Sequence, residues 1–218
     1  MLVRSTLACL AVVLWLPLHA AHAVQTGLTN DFSDGLQDWS AGRATPMDVA
    51  DGGPDGPGDK FLRLESTGTG SIGSRMTAFS MSPALTGDYL SAGVIAIRMD
   101  LNNLGSEPLE LRIQLSAFGL AVVSNAFSLP AQGGWTSAVF DVSELGVTAI
   151  DGADPAQVLS SVGQLRIMHS PDAVINTRTP RIESVLGLDN ITVVVPEPST
   201  GLLLLGGLTL LGARRRAV

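Results

Sequence analysis

Strict alternation of apolar and polar residues over positions 109–117 constrains the fold of this chain more than any other feature. Leu109, Leu111 and Ile113 fall on one face of an extended segment, and Glu110 and Arg112 fall on the other. A period of two with one apolar face is typical of a half-buried antiparallel strand, because successive side chains of a strand point to opposite sides of the sheet.

Residues 94–101 repeat this pattern, with Ile97 and Met99 on the inner face and Arg98 and Asp100 on the outer one. The Asn, Gly and Pro residues that separate the two segments favour a turn. We therefore predict that the two strands form a hairpin.

Many further short segments carry the same signature, separated by Gly- and Pro-rich turns, so we predict an all-β protein, a two-sheet antiparallel sandwich of the jelly-roll type. The other predicted strands are 28–32, 39–43, 60–65, 75–81, 120–127, 135–141, 164–169 and 186–195. Residues 51–59 are interpreted as a connector. Two short helical segments are expected, one turn at 142–145 and a helix that Asp154 caps, with Pro155 first, ending at Gly163.

The amino-terminal residues have the three parts of a secretory signal peptide. Arg4 provides the positive charge, residues 7–18 are apolar, and Ala21-His22-Ala23 is a small-x-small cleavage site, so cleavage is expected between Ala23 and Val24. A helix of twelve residues spans only about 18 Å, which is short of a hydrocarbon core of about 30 Å. A cleaved signal helix, recognised by the secretion translocon and signal peptidase, is therefore preferred over a permanent anchor.

Near the carboxyl end, Pro196-Glu197-Pro198 precedes an apolar run at 201–213 and three arginines at 214–216. This order resembles the PEP-CTERM sorting signal. The resemblance implies a short apolar helix that anchors the protein transiently in the inner membrane, and processing by an exosortase. Independently, a thirteen-residue run spans about 20 Å as a helix, a marginal span, and the arginines favour a cytoplasmic end. The alternatives are a plain carboxyl-terminal anchor or a buried helix.

These features predict a signal peptide over 1–23, a β-sandwich domain over 24–195 and a sorting tail over 196–218. Cys9 is the only cysteine and lies within the signal, so no disulfide stabilises the exported domain. Residues 24–195 contain 9 basic and 19 acidic residues, for a formal charge of 9 − 19 = −10. An acidic surface of this size argues against nucleic acid as a partner.

The segments 30–35 and 58–64, with Leu188-Asp189-Asn190-Ile191, resemble the opening, third-strand and closing segments of galactose-binding-like jelly rolls, a fold shared by carbohydrate-binding modules. The resemblance implies a structural calcium where these segments meet. Carried onto this chain, the candidate ligands are Asp31, Asp34, Asp59 or the Lys60 carbonyl, and Asp189. The alternative is that these aspartates only form turns and cap a strand.

Sugar recognition on such folds uses exposed aromatic rings. Trp39 and Trp135 are expected in the core, which leaves Tyr89, in a Gly-Asp-Tyr loop, as the candidate ligand-binding ring. No catalytic motif occurs in the sequence, and the acidic pair Glu110 and Glu144 is selected by nothing beyond its residue type.

His169, the sole histidine after the signal, follows an apolar strand pattern and is expected to be structural. The sequence therefore predicts an exported, non-enzymatic cell-surface or extracellular-matrix protein among extracellular polysaccharide. A secreted carbohydrate-binding module with a structural calcium is the alternative, and a hydrolase is a third hypothesis.

Overall fold

The computed structural model describes residues 24–41, 47–69, 75–172 and 179–196, which form two packed antiparallel sheets with two short helices. The predicted signal helix, Ala23, Glu197, Pro198 and the apolar run lie outside the described residues. In chain order the elements are β1 (Thr29–Asn30), β2 (Trp39–Ala41), β3 (Met47–Gly53), β4 (Gly56–Thr67), β5 (Thr77–Ser80), α1 (Tyr89–Ala92), β6 (Ala96–Asn103), β7 (Leu109–Ala117), β8 (Leu120–Ser124), β9 (Phe127–Leu129), β10 (Thr136–Asp141), β11 (Val147–Ile150), α2 (Pro155–Leu159), β12 (Gln164–His169) and β13 (Glu183–Val194).

The first sheet has the strand order β10-β6-β13-β4-β3, and β1 also pairs with β13. The second sheet has the order β11-β8-β7-β12-β5-β2, and β9 also pairs with β7. All the pairings are antiparallel. The predicted two-sheet antiparallel sandwich is confirmed.

The core lies between the inner faces of the two sheets, and the alternating segments supply it as predicted. Leu111 and Ile113 of β7 are fully buried, as are Ile97, Met99 and Leu101 of β6. Full burial of such a side chain contributes roughly 1.5–3 kcal/mol. Hydrophobic burial is therefore the main source of stability in a domain that has no cysteine.

The predicted hairpin between residues 94–101 and 109–117 is wrong. β6 pairs with β10 and β13 in the first sheet, whereas β7 pairs with β8, β9 and β12 in the second. The turn between them carries the chain from one sheet to the other. Two strands with one apolar face each satisfy the same pattern whether they pair side by side or face each other across the core, so local alternation does not separate these cases.

Residues 51–59 are not a connector but the centre of a hairpin. β3 and β4 pair from Met47↔Leu64 to Gly53↔Gly56, with only Pro54 and Asp55 between the strands. The register shifts between Asp51 and Gly53. Glycine and aspartate weaken the strand pattern in this segment, but they are also the residues that a tight turn and a bulge require.

The two short helices begin at aspartate caps. Asp154 accepts a hydrogen bond from the Ala156 N–H and Pro155 is the first helical residue, as predicted, although α2 ends at Leu159. Asp88 caps α1 in the same way. The predicted helical turn at 142–145 is wrong. These residues form a non-helical turn, which a hydrogen bond from the Gly146 N–H to the Ser143 carbonyl closes.

Candidate functional site

An irregularity in the central strand β13 gathers acidic side chains at one place on the first sheet. The pairing of β13 with β6 shifts between Asp189 and Thr192. β13 pairs with β4 up to Leu188↔Leu62, and within the shifted segment it pairs with β1 at Ile191↔Asn30. The opening strand, the third-strand segment and the closing strand therefore meet at Asp189, as the jelly-roll resemblance implies.

Asp189 is completely buried, and its carboxylate is only half satisfied. Oδ1 accepts a hydrogen bond of 2.7 Å from the Asn190 N–H, whereas Oδ2 has no partner among the described residues. The pKa of Asp189 is raised to about 7: burial is the largest cause, the Asn190 N–H opposes it, and the carboxylates of Asp59, Asp100 and Asp31 add to it. An unpaired buried carboxylate is costly, so it takes up either a proton or a cation.

Gly53 holds the β3–β4 hairpin close against this carboxylate. A Cβ atom at Gly53 would lie 2.4 Å from Asp59 Oδ2 and 3.2 Å from Asp189 Oδ2. Both oxygens therefore face the same small space above the Gly53 backbone. Asp59 Oδ2 also accepts the Asp55 N–H at 2.9 Å, which fixes the carboxylate on the hairpin.

Asp31 follows β1 and is held in a tight local network. Its Oδ1 accepts bonds from the Ser33 N–H, the Ser33 hydroxyl and the Gln37 amide at 3.1, 2.9 and 3.0 Å. The Gln37 bond is the largest cause of the lowered pKa of Asp31, so this carboxylate stays ionised. Serine at position 33 therefore helps to orient Asp31.

Of the predicted calcium ligands, the structure groups Asp31 and Asp59 around Asp189 and leaves Asp34 exposed outside this group. The side chain of Lys60 forms an exposed ion pair with Asp51 at 3.4 Å. Asp100, which sequence reasoning did not select, joins the group because it is the cross-strand partner of Asp189 and accepts the Asn190 amide at 3.0 Å. Within the described ranges, no set of three or more His, Cys, Asp or Glu side chains is placed to hold a metal ion.

The oxygen donors around Asp189 suit a hard cation in their chemistry. The unpartnered Asp189 oxygen and the space it shares with Asp59 Oδ2 provide oxygen donors and negative charge, which calcium prefers. Side-chain donors alone do not close a coordination shell, so backbone carbonyls and water would have to complete it. The donor chemistry therefore fits calcium, with Asp189 and Asp59 as its central residues.

The outer face of the second sheet carries a second group of polar side chains. Arg166 of β12 is the cross-strand partner of Gln114 on β7 and of Phe79 on β5, and Ser40 pairs with Phe79 from the next strand. Side chains opposite one another in adjacent strands lie on the same face about 5 Å apart. One aromatic ring, a guanidinium and two polar side chains therefore form a row across the sheet.

Arg166 is central to this row and is incompletely paired. Its guanidinium donates only long bonds, 3.4 Å to Gln114 and 3.5 Å to Gln164, and burial lowers its pKa. The Thr77 hydroxyl beside Phe79 has no partner among the described residues. Partly buried polar groups with spare bonding capacity beside a ring are typical of a site that binds a polar ligand.

The expectation that Tyr89 is an exposed ring is wrong. Tyr89 is fully buried in α1, and its hydroxyl donates a 2.7 Å bond to the Leu85 carbonyl. Burial also raises the pKa of its phenol. The Gly-Asp sequence before it, interpreted as a loop, is in fact the start of a capped helix that turns the ring inward.

The two tryptophans differ in their burial. Trp39 lies in the core as predicted and donates a 3.1 Å bond to Asn30. The prediction that Trp135 lies in the core is wrong: it is half-buried on the outer face of the first sheet, edge-on to Phe61 with ring centroids 5.2 Å apart. It donates a 3.2 Å bond to the Gly52 carbonyl, so it packs the β3–β4 hairpin onto the sheet.

The candidate glycosidase pair is not assembled. Glu110 lies at the start of β7, where it accepts bonds from Ser128 at 2.7 and 2.8 Å, whereas Glu144 lies in the turn after β10 at the opposite end of the sandwich. β6 alone extends eight residues between these ends, about 25 Å, against the roughly 5–10 Å that paired catalytic carboxyls require.

His169 is structural, as its strand pattern indicated. It is buried, and its Nδ1 accepts the Glu110 N–H at 3.0 Å. Burial lowers its pKa, against the opposing effect of the Glu110 carboxylate, so the ring stays neutral in this position.

A family model for the PEP-CTERM protein-sorting motif matches residues 194–217, the segment that follows directly from β13. The chain carries a PEP-CTERM sorting motif. This motif indicates export and sorting to the cell surface, and the match confirms the resemblance drawn from Pro196-Glu197-Pro198. No helix in the described part of this chain is long and apolar enough to cross a membrane. A comparison with curated proteins gave no match.

The domain is similar in structure to carbohydrate-binding modules. A family 11 carbohydrate-binding module from Clostridium thermocellum, in complex with a β-1,3-1,4-mixed-linked tetrasaccharide, gives a TM-score of 0.52 at 15% identity, over 77% of this chain and 94% of the module. The same family of module in the cellulosomal cellulase Lic26A-Cel5E of that organism gives 0.52 at 13% identity, over 80% and 96%. An exo-β-agarase gives 0.54 at 12% identity, over 78% of this chain but only 25% of the agarase. At these identities the similarity shows the fold alone.

Proposed function

We propose that this chain is an exported, non-enzymatic protein of the cell surface or extracellular matrix, delivered through its PEP-CTERM tail. In this proposal the secretion translocon and signal peptidase act at the amino end. The tail then anchors the protein transiently in the inner membrane until an exosortase processes it. The match over residues 194–217 is the observation that carries the proposal. The three arginines beyond the apolar run support the orientation it requires.

Replacing Pro196 and Pro198 together by Ala tests the sorting step in the native host. The double variant should be exported but remain unprocessed, and cell fractionation with mass spectrometry of the carboxyl end would detect this. Pro108→Ala, an exposed proline in the turn before β7, is the matched control and should be processed normally. Unchanged processing and location of the double variant would contradict the proposal.

A second proposed function is binding of a neutral polysaccharide at the row formed by Phe79, Arg166, Gln114 and Ser40. The row supports this because a ring can stack on the apolar face of a sugar while the guanidinium and amide bind its hydroxyls. The similarity of the fold to carbohydrate-binding modules supports such a role. An acidic domain also favours neutral over anionic glycans.

Affinity electrophoresis in gels that contain neutral polysaccharides, mixed-linked β-glucan and agarose among them, tests this second function. Phe79→Ala and Arg166→Ala should each weaken retention by roughly tenfold or more, about 1.4 kcal/mol. Phe118→Ala and Arg98→Ala are matched controls, because both side chains are exposed away from the row. Equal losses in the controls, or no retention of the unmodified protein on any glycan, would contradict the assignment.

We also propose that calcium occupies the space between Asp189 and Asp59 and has a structural role. The unpartnered Asp189 oxygen supports this, since a divalent cation there would neutralise the carboxylates of Asp189 and Asp59, whose Oδ2 atoms face the same space. Calcium would supply charge neutralisation and cross-linking of β13 to the β3–β4 hairpin. It has no catalytic part in this proposal.

A further inference from the structure

One end of the sandwich is defined by the place where the chain leaves the domain towards its tail. Val194, the last residue of β13, pairs with Ala96 at the start of β6, and Ala96 pairs with Asp141 at the end of β10. Ile95 donates to the Val194 carbonyl at 2.9 Å, and Val142 donates to the Ile95 carbonyl at 2.9 Å. We name this the exit end of the domain.

The second sheet contributes to the same exit end. Gly87, just before α1, exchanges two backbone hydrogen bonds with Val162, of 2.8 and 2.9 Å, and Gly163 donates to the Ser116 carbonyl at 2.9 Å. α1 connects directly to Ile95, so these bonds join the end of β7 to the end of β13. Phe118 therefore lies at the exit end as well, in the turn after β7.

Exposed apolar side chains are concentrated at the exit end. Nine large apolar side chains are exposed within the described ranges, and six of them are here: Leu28, Met81, Leu90, Ile95, Phe118 and Leu145. Leu145 is 100% exposed and Phe118 is 80% exposed. Single exposed apolar residues are ordinary, but a cluster indicates a contact with a partner or a membrane.

Only a short segment of chain connects the exit end to the apolar run of the tail. Val195 packs against the core, and Pro196 lines a groove of about 640 Å³ together with Leu90, Ile95 and Glu144. Only residues 197–200 separate Pro196 from the apolar run, and four residues span at most about 14 Å. The headgroup layer on one side of a bilayer is itself about 5–8 Å thick.

We infer that the exit end of the domain rests on the lipid surface while the sorting tail is intact, with Leu90, Ile95, Phe118 and Leu145 in the headgroup region. This inference rests on the proposed anchoring by the tail. A thirteen-residue run is shorter than the hydrocarbon core, which draws its flanking residues towards the bilayer. The short connection to the tail keeps the exit end close to the bilayer, and the exposed apolar side chains make the contact with lipid.

Charge determines which lipids suit this contact. The exit end also carries Asp88, Asp141, Glu144, Asp151 and Asp154. Carboxylates are repelled by anionic headgroups. The contact is therefore hydrophobic and is expected to form best on zwitterionic lipid.

Single cysteines labelled with an environment-sensitive dye test the inference, because the chain after the signal contains no native thiol. The chain from Val24 to Val218 is reconstituted into phosphatidylcholine vesicles, and co-flotation measures insertion of the tail. Ile95→Cys and Leu104→Cys form a matched pair, since the native side chains are 42% and 44% exposed at opposite ends of β6. Leu145→Cys provides a second position at the exit end.

Labels at positions 95 and 145 should shift to shorter emission wavelength on vesicles and be quenched by lipids that carry a quencher in the headgroup region, whereas the label at 104 should do neither. Co-flotation with no shift at 95 and 145, or with an equal shift at 104, would overturn this inference alone. Absence of co-flotation would overturn the proposed anchor and this inference with it. A shift at 95 and 145 that occurs without vesicles on raising the protein concentration would assign the apolar end to self-association instead.

Discussion

At the scale of single residues, Asp189 places an ionisable carboxylate at a buried position of a central strand. A strand at the centre of a sheet normally buries apolar side chains, yet this one buries a carboxylate with a free oxygen. The cost is tolerable only if a proton or a cation accompanies it. The structural role of this residue is therefore coupled to pH and, in the proposal of a structural calcium, to the supply of that cation.

Asp189→Asn should abolish the response to calcium. The amide keeps an acceptor for the Asn190 N–H but removes the charge that a cation requires. Calcium at a hundredfold excess over its Kd should stabilise the unmodified protein by about 2.7 kcal/mol relative to chelator, and should not stabilise the variant. Thermal unfolding followed by circular dichroism measures both. Asp34→Asn is the control and should respond like the unmodified protein; the reverse pattern would contradict the assignment.

In chelator, the same variant should change the pH dependence of stability. The pKa of Asp189 is raised from 3.8 to about 7, so folding takes up a proton between these values. This contribution to the free energy of unfolding is present below pH 4 and is lost as the pH rises to about 7. Asp189→Asn should therefore be more stable than the unmodified protein at pH 8 and lose this advantage towards pH 4. Parallel pH profiles of the two proteins would contradict the raised pKa.

At the scale of elements, β13 organises the first sheet, because β1, β4 and β6 all pair with it. Its outer face is covered by the β3–β4 hairpin and by Trp135, which lies over Gly187. The absence of a side chain at Gly187 is what allows this close packing. A Cβ there would lie 2.9 Å from Trp135 Cη2 and 3.3 Å from the ring of Phe61.

Gly187→Ala should destabilise the domain by about 1–3 kcal/mol, because the added methyl group displaces a packed tryptophan. Denaturant unfolding monitored by tryptophan fluorescence measures the loss, and the emission of Trp135 should shift as its ring is exposed. Gly163→Ala is the matched control, since its Cβ would meet only the Ser116 carbonyl at 3.7 Å. Equal stability of the two variants would show that the contact between Gly187 and Trp135 does not contribute to the free energy of unfolding.

At the scale of the whole molecule, the sorting motif begins inside the folded domain. The family match starts at residue 194, which is the last residue of β13. Val24 at the other end is buried in the core, so cleavage before it would leave the sandwich complete. The domain and its sorting motif are therefore adjacent in sequence with no spacer between them.

Removal of residues 197–218 should leave the unfolding midpoint of the domain unchanged, because the core and all described strands precede Pro196. Ending the chain at Leu188 should prevent folding, since the deleted part of β13 pairs with both β1 and β6. Thermal unfolding of the two truncated chains, expressed without the signal, provides the measurement. A large loss of stability in the first truncation would place part of the tail in the fold.

The sandwich and the carboxyl-terminal sorting motif could be predicted from the sequence because both are local signals. The alternation over 109–117 indicates which side chains of β7 face the core, and a proline motif followed by an apolar run and arginines marks the carboxyl end. The signal peptide at the amino end stays a prediction. The resemblance of short segments to a known fold also selected Asp59 and Asp189, whose Oδ2 atoms face the same space at Gly53. Their role as calcium ligands stays a prediction.

Strand pairing, strand register and the orientation of the aromatic side chains were determined only by the tertiary structure. β6 and β7 lie in different sheets, Asp100 reaches Asp189 only through their register, and Tyr89 turns into the core because Asp88 begins a helix. The row at Phe79 and Arg166 joins strands about ninety residues apart along the chain. Contacts of this kind depend on which surfaces bury one another, which alternation along a single strand does not specify.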